Sequence, residues 1–161
     1  MAADSDAPSL RDRLRDAFWE RHANPKSGWS RTLTGPLLAL ALYRRDRRLL
    51  ALALAFTALN PVLFGRPDPD DRSWMTRAVR AERWWTESGN GTVDLGWPNV
   101  LNAANVPAFG YALVAAYRRR PIRATVALAV SMALKFSWIE VIARRYDAAV
   151  AGDTGEDQSR P

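Results

Sequence analysis

The chain has 161 residues, a formal net charge of +6 and a mean hydropathy of −0.26, with 48% hydrophobic residues. That length suits one domain. The absence of cysteine excludes disulfides, iron–sulfur centres and thiolate metal sites, and one histidine argues against a zinc or haem site. The basic balance comes from 21 arginines and two lysines without an RRM, zinc-finger or helix-turn-helix signature, so nucleic acid is not an expected partner.

The hydropathy average conceals a segregation. Charges gather at the N-terminus, in two turns, in a central loop and in the tail, while the apolar runs between them carry few. A soluble bundle would spread its charges at helical spacing along every helix. Residues 1–8 read as frayed, and the first thirty residues hold no pattern of a cleavable signal peptide. Ser9 with Asp12 three residues later predicts a capped amphipathic helix over 9–23, with Leu10, Leu14, Ala17 and Phe18 on one face. Asn24-Pro25 ends it.

The segment 29–64 reads as a first hairpin. Two short apolar runs flank Arg44-Arg45-Asp46-Arg47-Arg48, and Gly35-Pro36 is expected to bend the first. The runs are either two slightly short crossings or a re-entrant hairpin. Residues 65–97 form an extramembrane loop containing a predicted helix over 73–87. On that helix Trp74, Met75, Ala78, Val79, Ala81 and Trp85 share an arc, and Thr76, Arg77, Arg80 and Arg83 lie opposite. It reads as a second interfacial helix, its tryptophans anchoring and its arginines reaching headgroups. The segment 98–143 is the most apolar. Two runs of about 20 residues, the length that crosses a bilayer core, flank an Arg-Arg-Arg-Pro turn. Residues 147–161 read as a disordered tail.

The expected fold is therefore all-α. It is a polytopic membrane protein with about four transmembrane helices in two hairpins, plus two amphipathic interfacial helices. In such a topology both arginine-rich turns share one side. Their density argues that this side is cytoplasmic, while a count of all flanking basic residues reverses the orientation.

The polar residues worth attention converge on the opposite side: His22, Asn24, Arg31, Asn60, Glu82, Asn102, Asn105, Lys135 and Glu140. Lys135 lies roughly 18 Å beyond Arg123 along its helix, where a charge either serves a function or snorkels out. Glu140 is spaced for an i,i+4 pair with Arg144. Asn102 and Asn105 share a face and read as helix–helix contacts or a ligand site. Glu82 breaks an apolar arc and needs a cation. His22, Arg21, Arg31 and Lys135 are the candidates, with Arg31 or His22 preferred. His22 could act as an acid or base; the competing reading is that Asn24-Pro25 and Ser27-Gly28 build a rigid turn.

The pattern H-x-N-P-x-S-x-W-S-R from His22 to Arg31, followed by apolar hairpins and the loop WMTRAVRAERWW, resembles a family of uncharacterised small integral membrane proteins. These come from archaea, notably halophiles, and from bacteria. The resemblance spans about residues 17–145. It implies a multi-pass protein of a prokaryotic cell membrane and carries no known activity. The sequence alone thus points to a non-enzymatic binding, assembly or lipid-interacting component. Membrane lipid is its expected partner, a second copy or another membrane protein a further one, and no cofactor is expected. The rival readings are a transporter of a small molecule or ion using Lys135, and a membrane enzyme using His22 and Glu82.

Overall fold

The computed structural model describes residues 9–157. The residues expected to be frayed, 1–8, and the last four of the expected tail lie outside that range. Seven helices follow in order: α1 Leu10–His22, α2 Pro25–Arg31, α3 Thr34–Arg44, α4 Arg47–Leu63, α5 Trp74–Glu87, α6 Asn99–Tyr117 and α7 Pro121–Asp157.

Local chemistry accounts for most of the helix ends. Ser9 caps α1, accepting from the Asp12 amide at 3.2 Å while its hydroxyl donates to the Asp12 carboxylate. Asn24 caps α2 with Pro25 in the first turn, Asp46 caps α4 through the Arg48 and Leu49 amides, and Ser73 caps α5 through the Thr76 amide. The two arginine-rich turns are built alike. After α3 and after α6 the chain closes with paired bonds of the Schellman type: Asp46 to Ala41 and Arg45 to Leu42, then Arg120 to Ala115 and Arg119 to Ala116. The residue that must turn left-handed is an arginine in both, Arg45 and Arg119, each at φ 55°.

The expected bend at Gly35-Pro36 appears one turn earlier. Pro36 has no N–H for the Thr32 carbonyl and its ring crowds that position. The helix is therefore interrupted at Thr32 and Leu33, which keep right-handed backbone angles, so α2 and α3 are kinked rather than reversed. At the other end, α7 runs on as helix through Asp157, where a disordered tail was expected from residue 147.

Helices α3 and α4 form one hairpin and α6 and α7 the other, and α3 packs on α6 so that both arginine turns lie at one end. The Arg45 guanidinium sits 5.1 Å over the Tyr117 ring there. Helix α5 lies against α7 and α2, and α1 against α4. Two helices, α6 and the Pro121–Gly152 part of α7, are long and apolar enough to cross a membrane. Helix α3 has 11 residues and α4 has 17, so length and composition support two crossings rather than the expected four.

Side-chain size is sorted in an unusual direction. Ala41, Ala53, Ala112, Ala115, Ala116 and Ala124 are buried between helices, while Leu52, Leu54, Val106, Val114, Ile122 and Val126 face outward. A soluble core normally takes the large apolar residues inside. The exception lies under α5, where Trp138, Ile142 and Trp85 are buried with Ala78 and Ala81.

The apolar arc of α5 is thus covered by protein. Two of its arginines meet acids, Arg77 with Asp147 at 2.8 Å and Glu140 at 3.4 Å, and Arg83 with Asp16 at 2.6 Å and Glu87 at 2.8 Å, while Arg80 donates to the Pro69 carbonyl. An amphipathic helix presents the same pattern to lipid or to a protein groove; this one uses a groove.

Candidate functional site

A cleft of about 400 Å³ opens between α1, α2, α3, α5, α6 and α7. Its charged end gathers His22, Arg31, Glu82 and Lys135, one residue from each of α1, α2, α5 and α7. Lys135 Nζ donates to Glu82 Oε1 at 3.4 Å and stands 4.2 Å over the Trp138 ring. The Glu82 partner is therefore Lys135, one of the four candidate cations, rather than the preferred Arg31 or His22. Those two meet each other instead. The Arg31 guanidinium abuts the His22 ring nitrogens. Burial and the adjacent guanidinium charge both disfavour a second cation, so the imidazole is neutral at pH 7. Phe18 stacks on the other side of that ring with centroids 5.2 Å apart.

Arg31 is half-buried, yet among the described residues it has no carboxylate within salt-bridge range. Arg66, Arg77, Arg83 and Arg144 all have one. Burial lowers the His22 pKa from 6.5 to about 4, and the Arg31 charge acts in the same direction. Between those two values the unfolded chain binds a proton that the folded chain refuses. Stability should therefore fall as pH drops from about 6.5 towards 4. Allowing for partial exposure, the loss is on the order of 1–2 kcal/mol. With His22→Gln the slope above pH 5 should vanish in thermal unfolding in detergent. An unchanged slope would mean that the ring titrates normally.

Beyond the charged end the cleft becomes apolar. Asn105 accepts from Ser131 at 2.5 Å halfway along with Met132 beside them, while Phe136 and Ile139 line the cleft on the other side of Lys135. Phe109 and Leu128 close the far end against Gly35, where a Cβ would come within 2.9 Å of Leu128. Leu128 lies two turns before Lys135 on α7, roughly 10 Å away.

Five of the nine residues singled out from sequence thus line the cleft: His22, Arg31, Glu82, Asn105 and Lys135. The other four hold the fold. Asn24 caps α2 and donates to the Gly65 carbonyl at 3.0 Å. Asn60 is buried between Ser27 and Ser30. Asn102 donates to the Thr92 carbonyl in the loop before α6. Glu140 accepts from Trp74 at 2.8 Å, from Arg77, and from Arg144 at 2.8 Å, the last being the i,i+4 pair that spacing predicts. Sequence reasoning missed Ser131 and the apolar lining. Aromatic and branched residues in an apolar run carry no mark that separates a cleft wall from a lipid-facing surface.

The chain belongs to a family of unknown function, DUF6653, whose pattern matches residues 11–161. No curated protein and no solved structure matches it.

Proposed function

We propose that this member of DUF6653 is a multi-pass prokaryotic membrane protein that acts as a non-enzymatic binding component, with the cleft around Lys135 as its ligand site. The observation that carries the reading is the sorting of side chains, with alanines between the helices and leucine, valine and isoleucine outside. In lipid, helices gain by close approach through small residues, and large apolar residues face the acyl chains at no cost. The kinked pair α2–α3 covers residues 25–44, roughly 30 Å, which is one bilayer core. A kinked span is tolerated where neighbouring helices cover the break. Helix α4, with 17 residues, reaches the short end of the spanning range.

Two features weigh against an enzyme built on His22 and Glu82. The ring nitrogens of His22 face Arg31, and the Glu82 carboxylate is engaged by Lys135. The ion pair in the cleft also suits a transporter, and ligand flux into liposomes separates transport from binding.

Natural absence of cysteine makes topology directly measurable. Single cysteines placed by Arg45→Cys and Arg119→Cys should react with an impermeant maleimide from one side of sealed vesicles, and Gly89→Cys from the other. The protein should remain in membranes through an alkaline carbonate wash. Release by that wash would overturn membrane integration. Labelling of positions 45 and 89 from the same side would make the first hairpin re-entrant.

A further inference from the structure

The charged end of the cleft is one anion short. It holds two fixed cations, Arg31 and Lys135, against one carboxylate, Glu82, while the His22 imidazole beside Arg31 is neutral. Lys135 has three donors and gives one to Glu82. Arg31 has five, abuts the His22 ring, and feels the Glu82 charge only from beyond salt-bridge range. Glu82 is already paired with Lys135, so its charge only partly offsets the desolvation of the half-buried Arg31. Elsewhere in this fold the half-buried arginines Arg77 and Arg83 each hold two acids.

Polarity is graded along the cleft. The charges are separated by the Asn105–Ser131 bond from an apolar end closed by Phe109 and Leu128 roughly 10 Å away, while Phe136 and Ile139 line the cleft on their other side. A free inorganic anion would leave the apolar end empty, and a neutral hydrocarbon would leave Arg31 unpaired. The volume of about 400 Å³ falls within the ~300–1,000 Å³ of small-molecule sites.

Resting on the reading of the cleft as a ligand site, we infer that its ligand is a single-chain amphiphile with one anionic headgroup. The carboxylate or phosphate sits between Arg31 and Lys135, and the alkyl chain runs past Met132 to Phe109 and Leu128. Planar, forked donors on Arg31 suit either headgroup. Glu82 is then a competitor for Lys135 and sets the affinity rather than supplying it.

That role for Glu82 gives the test its sign. The full chain would be placed in nanodiscs of zwitterionic lipid, with displacement of a fluorescent 12-carbon carboxylate as the readout. Dodecanoate and dodecyl phosphate should displace the probe. Dodecyltrimethylammonium and dodecanol should be at least 10-fold weaker, and acetate or inorganic phosphate at least 100-fold weaker. Arg31→Gln and Lys135→Met should each weaken dodecanoate at least 10-fold, whereas Glu82→Gln should tighten it several-fold. Leu128→Trp, which fills the apolar end, should weaken dodecanoate more than hexanoate. Variants are compared only where circular dichroism matches the parent, and the probe series on the parent protein needs no variant.

Preferential binding of the ammonium amphiphile, or loss of dodecanoate binding with Glu82→Gln, would overturn the anionic assignment while leaving the cleft a ligand site. Binding of acetate or phosphate as tight as that of dodecanoate would overturn the amphiphile and leave an anion site. If no single-chain probe of any charge binds the folded protein, the ligand-site reading itself fails.

Discussion

Trp138→Ala should lower the thermal unfolding midpoint by about 6–20 °C. Trp138 has no exposed surface and packs with Ala78, Ala81, Trp85 and Ile142 where α5 lies on α7. Deleting a buried aromatic of this size costs about 3–5 kcal/mol through lost burial and the cavity left behind. For a chain of this length each kcal/mol moves the midpoint by about 2–4 °C. The indole also does polar work. Its Nε1 donates to Asn99 Oδ1 at 2.9 Å, and Asn99 in turn donates to the Gly91 carbonyl and to Asp94. Trp138→Phe keeps most of the area but orphans that buried acceptor, so a smaller loss of about 1–3 kcal/mol is expected. Lys135 would lose its aromatic floor in Trp138→Ala, and the charged end of the cleft should loosen with it. An alanine variant melting within 2 °C of the parent would show that α5 is not seated on α7 as described.

How much of this was legible in the sequence depends on the range of each cause. Ser9, Asn24 and Ser73 act on amides two or three residues away, so the starts of α1, α2 and α5 are written locally. The arginine turns were visible as composition, but their left-handed arginines were not, because glycine is the usual residue there. The apolar arc of α5 gave the right face and left its neighbour open between lipid and protein. Trp74 and Arg77 reach Glu140, 66 and 63 residues away, and no periodicity encodes that.

Glu82 and Lys135 stood out in the sequence as interior charges, though not as each other's preferred partner, for a physical reason. A charge on an otherwise apolar face has few places to go except towards another charge in the interior. Asparagines carry no such constraint. Asn105 reached the cleft while Asn24, Asn60 and Asn102 became caps and struts, because an amide is satisfied equally well by a loop carbonyl, a serine or a ligand. The same holds for the motif from His22 to Arg31. Most of its members bind backbone or one another, and only its ends, His22 and Arg31, open into the cleft with Gly28 along its wall.

The middle of that motif gives the other large expected effect. Asn60 and Ser27 have no exposed surface; Ser27 Oγ donates to Asn60 Oδ1 at 3.0 Å, and Asn60 Nδ2 donates to Ser30 Oγ at 2.7 Å. One amide thus fixes two hydroxyls of α2 against α4 and sets the position of Arg31 at the end of α2. Asn60→Ala removes both bonds, worth about 1 kcal/mol each, and leaves a cavity, for a loss of about 3 kcal/mol. Ser27→Ala orphans the buried Asn60 oxygen and should cost about 1–3 kcal/mol. Because each change already breaks the shared bond, the double variant should cost less than the sum, by about 1 kcal/mol. Unfolding midpoints of the four proteins in one detergent measure that difference. Strictly additive losses would mean that Ser27 and Asn60 are not bonded, and that α2, with Arg31 at its end, is held by the Asn60–Ser30 bond and by the packing of Gly28 on Met75.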